Sequence, residues 1–152
     1  MPLTWADLII DSPTALDWNE VLGAWAPLLD GRIRPVFLDK LGCIYVERDT
    51  GEVVMLDVLS GEVETLAPSR DEFTKLVNNP GWQNVYLCAS LIAELHAAGK
   101  KAAPEQCYSL AAHPALGGPD PRAGDKVDLQ TVKPMSVRVW HSICRQILGG
   151  PP

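Results

Sequence analysis

Histidine and cysteine are the residues of this chain with the widest chemical repertoire. His141 and Cys144 lie three apart in a helically periodic segment, and residues drawn from His96, Cys107 or His113 could join them in a tetrahedral zinc set. The same spacing also describes the edge of an ordinary core helix, and the paired knuckles of a zinc module do not occur. Ser109 and Cys107 are candidate nucleophiles, yet neither stands in a Gly-x-Ser-x-Gly turn or has another flanking signature. Leu116-Gly117-Gly118 matches neither a dinucleotide fingerprint nor a loop closed by Lys-Ser or Lys-Thr, so its glycines read as backbone punctuation. The sequence therefore assigns no catalytic residue, no cofactor and no metal.

Carboxylates are more informative. Glu47, Asp49, Glu52, Asp57, Glu62 and Glu64 crowd a short stretch in which Arg48 is the one basic residue. In a half-buried sheet, polar side chains alternate outward, so several of these acids should share the solvent face or the hairpin turns. Two readings follow: polar turns and edges that block aggregation, or an anionic patch for a cationic partner. On the second, these six residues are the candidate partner-binding set. A hydrolytic acid–base pair would require two of them to converge in a cleft with divergent pKa values.

The charge is −6 overall and uneven: residues 1–72 hold 14 Asp and Glu against 5 Lys and Arg, residues 73–152 hold 5 against 8. An acidic surface repels phosphates and anionic lipid but speeds encounter with a basic protein, so a protein partner is expected rather than nucleic acid or membrane. No apolar run approaches the ~20 residues of a membrane span. The start, Met1 to Asp7, lacks the basic and apolar regions of a secretory signal, which predicts a cytoplasmic protein with Cys43, Cys88, Cys107 and Cys144 reduced in its core. The length of 152 residues, 47% hydrophobic, fits one domain: a helical lead-in over 1–30, a main body over 31–148 and a tail over 149–152. The oligomeric state is left open.

The positioning elements follow from periodicity and punctuation. Asp17-Trp18-Asn19-Glu20 caps a short helix with an apolar stripe of Leu16, Val21, Leu22 and Trp25, ended by Pro27 and Asp30-Gly31. Residues 33–38, 43–47, 53–58 and 63–67 are β-branched runs separated by Gly42, Asp49-Thr50-Gly51 and Ser60-Gly61, a four-stranded antiparallel meander. Ser69-x-x-Glu72 is a capping box for a helix that carries Phe73, Leu76 and Val77 inward and ends at Asn79-Pro80. A longer helix is predicted over 84–98 with Gly99 as its stop, then a strand over 108–113 and a Pro- and Gly-rich loop. A last helix is expected to open at Lys133-Pro134, with Met135, Val139, Trp140, Ile143, Cys144, Ile147 and Leu148 as its stripe. Strands early and helices late predict an α+β fold, an antiparallel sheet covered by helices mainly on one face.

The order of short motifs adds a resemblance. Arg34-Pro35-Val36, Leu41-Gly42-Cys43-Ile44-Tyr45-Val46, Asp49-x-Gly51, Leu56-Asp57, Gly61-Glu62-Val63, Ser69-x-x-Glu72-Phe73, Leu95-x-Ala97-Ala98-Gly99, Gln106-Cys107-Tyr108, Pro114-x-Leu116-Gly117-Gly118 and Ile143-x-x-Gln146-Ile147 succeed one another over residues 31–148. Together they resemble the C-terminal domain of type VI secretion DNase immunity proteins, a group similar to the wider SUKH-like immunity folds. The resemblance implies a non-enzymatic antidote that binds a cognate effector toxin and occludes its active surface. A nuclease groove must attract phosphates and is therefore basic, which agrees with the acidic front half. The shared positions are glycines, turn residues and apolar stripes, so no partner contact is carried over. Relatives place a separate domain ahead of this region, whereas residues 1–30 precede the match here, so contacts made by that domain are expected to be absent or replaced.

Two alternatives stay open: a metal-dependent or hydrolytic enzyme built on His96, His113, His141 and Cys144, and a housekeeping interaction scaffold of the same fold. Among the five tryptophans, Trp25 and Trp140 fit core stripes, while Trp5 and Trp82 sit beside breaks, where core-edge packing is the expectation and an interface aromatic the alternative.

Overall fold

A computed structural model describes residues 3–11, 17–29 and 31–149. Met1, Pro2, Leu16, Asp30 and the tail residues 150–152, which enter the sequence reading above, lie outside the described residues.

The chain opens with α1 (Trp5–Leu8), where the Thr4 amide donates to Asp7 Oδ2 at 2.8 Å. β1 (Ile9–Ile10) follows and pairs antiparallel with the end of β2 (Ile33–Asp39), Ile10 opposite Leu38. Between them, α2 (Trp18–Ala24) is capped by Asp17, whose Oδ1 accepts the Glu20 amide at 3.2 Å, as the sequence predicts. β3 (Ile44–Arg48), β4 (Val53–Leu56) and β5 (Val63–Ala67) complete an antiparallel sheet in the order β1-β2-β3-β4-β5. The predicted meander is present, and β1 makes the sheet five-stranded rather than four. Two residues carry no period, so only their pairing reveals that strand.

Ile44 to Val46 and Val53 to Leu56 are all buried, whichever way they point. The centre of the sheet therefore has no alternating polar face, and the acids are confined to turns and strand ends. Cross-strand neighbours Phe37, Tyr45 and Met55 share one face. Over that face lie α3 (Arg70–Val77) and α4 (Pro80–Tyr86), with Phe73 5.9 Å from Phe37 and Trp82 6.3 Å from Tyr45 between ring centroids. Ser69 Oγ caps α3 by accepting the Glu72 amide at 3.2 Å, while the Glu72 carboxylate pairs with Lys75.

The predicted long helix over 84–98 is two helices, α4 and α5 (Ala89–Ala97), broken at Leu87 and Cys88, where Cys88 takes φ 54°. Side-chain acceptors serve the starts of both helices. Asn79 Oδ1 accepts the Gly81 and Trp82 amides, and Asn84 Oδ1 accepts the amide and hydroxyl of Ser90, supplying the start of α5 with a partner. Gly99 ends α5 as predicted, the Lys100 amide returning to Leu95 O at 2.8 Å.

β6 (Gln106–Leu110) and β7 (Val132–Ser136) form a second, two-stranded sheet. Lys133-Pro134 thus lies in a strand, Pro134 opposite Tyr108, and does not open the last helix. A two-stranded sheet has only edges, where a residue without an N–H is tolerated. α6 (Val137–Ile147) starts after Ser136, whose Oγ accepts the Val139 amide at 3.2 Å. It grips the β2–β3 turn: Trp140 Nε1 donates to Leu41 O at 2.8 Å, and His141 Nε2 donates to Gly42 O at 2.7 Å. Gly42 has φ +93°, and a Cβ there would meet Trp140 Cδ1 at 2.8 Å. The buried apolar side chains form one cluster running from Leu8 to Cys144, an α+β architecture with Trp25 and Trp140 inside it. Among the described residues, no helix is long and apolar enough to cross a membrane.

Candidate functional site

Antiparallel alternation places the β3–β4 turn at one end of the sheet and the β4–β5 turn at the other, which divides the six acids into two groups. Glu47, Asp49 and Glu52 share the first end. Glu47 stands directly opposite Arg34 and lies 3.2 Å from its guanidinium and 3.4 Å from that of Arg70. Glu52 pairs with Arg48 at 3.3 Å, and Asp49 is exposed at the turn. Cations from β2 and α3 thus join a segment whose own sequence offers only Arg48. Asp57, Glu62 and Glu64 share the second end. Glu62 is exposed, and Glu64 is exposed while accepting the Tyr86 hydroxyl at 2.7 Å. Among the described residues, neither of these two forms an ion pair.

Asp57 is drawn inward instead. Its Oδ1 accepts the Leu59 amide at 2.9 Å and faces Arg122 Nη1 at 3.4 Å. Arg122 comes from the Pro- and Gly-rich loop and is the centre of a buried polar network that sequence reasoning missed. Its Nη2 donates to Asp39 Oδ2, its Nε donates to Tyr86 O at 2.9 Å, and its Nη1 reaches Cys43 Sγ at 3.1 Å. Asp39, fully buried, also accepts the amides of Leu41 and Cys43 and the hydroxyl of Tyr45. Burial pushes the Asp39 carboxyl up, and the guanidinium and three further donors push back. Burial likewise raises the Cys43 thiol and the Tyr45 phenol well above their usual ranges. The one sequence hint was an arginine between Pro121 and Gly124, a place where a solvated side chain is the ordinary expectation. The network joins β2, the β4–β5 turn, α4 and the loop, so it fixes the end of the sheet that carries Glu62 and Glu64.

Lys40 plays a similar part on the other side. Its buried ammonium donates to Ala103 O at 3.1 Å and Gln106 O at 2.9 Å, and burial lowers its pKa. The Tyr108 amide donates to Lys40 O at 2.7 Å, joining the two sheets.

Apart from half-buried His96, the candidate ligands and nucleophiles are bound to backbone or buried. His113 Nδ1 accepts the Ala115 amide at 3.0 Å, so its proton sits on Nε2, which donates to Val58 O at 3.3 Å. Burial lowers His113, and lowers His141 to about 4. Burial pushes Cys107 up to about 12 and raises Cys144 further. Ser109 Oγ donates to Lys133 O at 3.1 Å. His96 lies in a separate groove with Asp7 and Lys101. Among the described residues, no three His, Cys, Asp or Glu side chains gather as a metal site. A groove of about 430 Å³ between α2 and α6 is crossed by the Glu20–Arg138 pair at 3.0 Å. Of the two break-side tryptophans, Trp5 is 41% exposed, and Trp82 is half-buried and stacked on Tyr86 at 4.9 Å.

No protein-family model matches the sequence, and no curated protein matches it. Among solved structures, the crystal structure of Atu4351 from Agrobacterium tumefaciens is similar over 99% of this chain and 83% of its own, with 15% identity and a TM-score of 0.45.

Proposed function

We propose that this chain is a non-enzymatic immunity protein that binds a cognate type VI secretion effector in the bacterial cytoplasm and occludes its basic active surface. The observation that carries the reading is the pair Glu62, just ahead of the outer strand β5, and Glu64 on it, both exposed without an ion-pair partner among the described residues. Carboxylates so placed keep their field in solvent, where it accelerates encounter with a cationic surface. The ordered motifs over 31–148 supply the link to the immunity family, and the net charge of −6 favours a basic partner. If the effector is a nuclease, the surface covered is the groove that would hold phosphates.

The decisive experiment co-expresses the chain with the toxin encoded beside it. Restored growth and a co-purifying complex are expected, with an association rate that falls as salt is raised. Unrelieved toxicity with no complex would overturn the reading.

A further inference from the structure

β5 is the outer strand of the five-stranded sheet, and Val63, Glu64 and Thr65 are exposed along it. The opposite outer strand, β1, is two buried residues long. Ladder alternation fixes which β5 backbone groups are free. The Asp57 amide donates to Glu62 O at 2.9 Å. Hydrogen-bonded pairs recur at every second residue of an antiparallel ladder, so Met55–Glu64 is such a pair, whereas Leu56–Val63 and Val54–Thr65 are not. The N–H and C=O groups of Val63 and Thr65 therefore point away from β4. Beyond Thr65 a register shift ends the regular edge.

We infer that this edge takes an extended segment of a basic partner protein as a sixth strand. Main-chain bonds to Val63 and Thr65 would hold it. Across from Glu64 the new pair is of the non-hydrogen-bonded kind, in which side chains approach most closely. The chemistry that fits is a Lys or Arg opposite Glu64 and a second, two residues along, opposite Glu62. An apolar side chain of the same segment, on the other face, meets Val63, which is 37% exposed. A second copy of this chain fits poorly: antiparallel self-pairing centred on Val63 sets Glu62 against Glu64, and centring on Glu64 sets that residue against itself. The inference rests on the reading of the chain as a binder of a basic protein and specifies where binding occurs.

The test uses the intact chain and a blocked heptapeptide of alternating lysine and valine, with a glutamate–valine peptide as control. Saturable binding of the lysine peptide should slow amide exchange at Val63 and Thr65. Thr65→Pro removes an outward N–H without touching the β4 ladder and should weaken binding about tenfold, the scale of one lost hydrogen bond. E62K/E64K should reverse the preference between the peptides, and it decides the matter with the exchange data if Thr65→Pro does not fold. Unchanged exchange at Val63 and Thr65 under saturation, or wild-type lysine-peptide affinity in both variants, would overturn strand addition. If the wild-type chain protects cells from the neighbouring toxin while those amides stay unprotected, edge pairing fails and the immunity reading stands. Strand addition without protection from that toxin would remove the immunity reading and leave the edge.

Discussion

Arg122 and Asp39 are 83 residues apart in sequence and meet as an ion pair at the end of the sheet, with the carboxylate wholly withdrawn from solvent. The guanidinium also reaches Asp57 and Tyr86 O, so one side chain holds the Pro- and Gly-rich loop, the β4–β5 turn and α4 against β2. Whatever surface Glu62 and Glu64 present depends on that staple.

Arg122→Met should therefore destabilise the fold by about 3–5 kcal/mol, because Asp39 stays buried without its counter-charge. Arg122→Lys should recover only part of this loss, since one ammonium cannot span acceptors arranged for a fork. Denaturant midpoints of the three proteins measure the effect.

Three glycines should rank by what a Cβ would meet. At Gly99, φ is +80° and nothing lies within 4 Å, so Gly99→Ala should cost about 1 kcal/mol from conformation alone. At Gly42 a left-handed φ combines with Trp140 Cδ1 at 2.8 Å, and the cost should exceed about 2 kcal/mol. At Gly118 the Cβ would fall on the Ala112 carbonyl oxygen, which is backbone and cannot step aside, so Gly118→Ala should be the most damaging. Thermal melts of the alanine variants test the order.

Stability should fall on acidification through His141. Its folded pKa, about 4, lies below the ordinary 6.5, so between these values the unfolded chain binds the proton and the native one does not. The contribution is complete above 6.5 and is lost as pH drops toward 4, roughly 3 kcal/mol at most. Denaturant midpoints at pH 7, 5 and 4 should show the loss, and His141→Gln should flatten that part of the profile.

The four thiols should be silent in the folded protein. Cys43, Cys88, Cys107 and Cys144 are buried, and burial raises each pKa, which removes the reactive thiolate. A thiol reagent at neutral pH should label none of them natively and all four in denaturant. Rapid native labelling would show that the core opens.

The sequence by itself determined the features that depend on neighbours along the chain. Asp17 and Ser69 cap the helices their spacing announces, Gly99 stops α5, and the glycine-punctuated runs of 33–67 pair as the meander. Such signals are local, since a cap or tight turn is satisfied within a few residues. Only the tertiary structure decided what long-range partners control. β1 exists because β2 accepts it, the 84–98 stripe breaks ahead of Ser90, whose amide donates to Asn84, and Lys133-Pro134 became a strand by pairing with β6. The acids divided in the same way. Arg34 and Arg70 meet Glu47 and Arg122 meets Asp57, while among the described residues Glu62 and Glu64 form no ion pair at the β5 edge. Composition can count charges, but their net effect on a surface depends on which pairs the fold brings within a few ångströms.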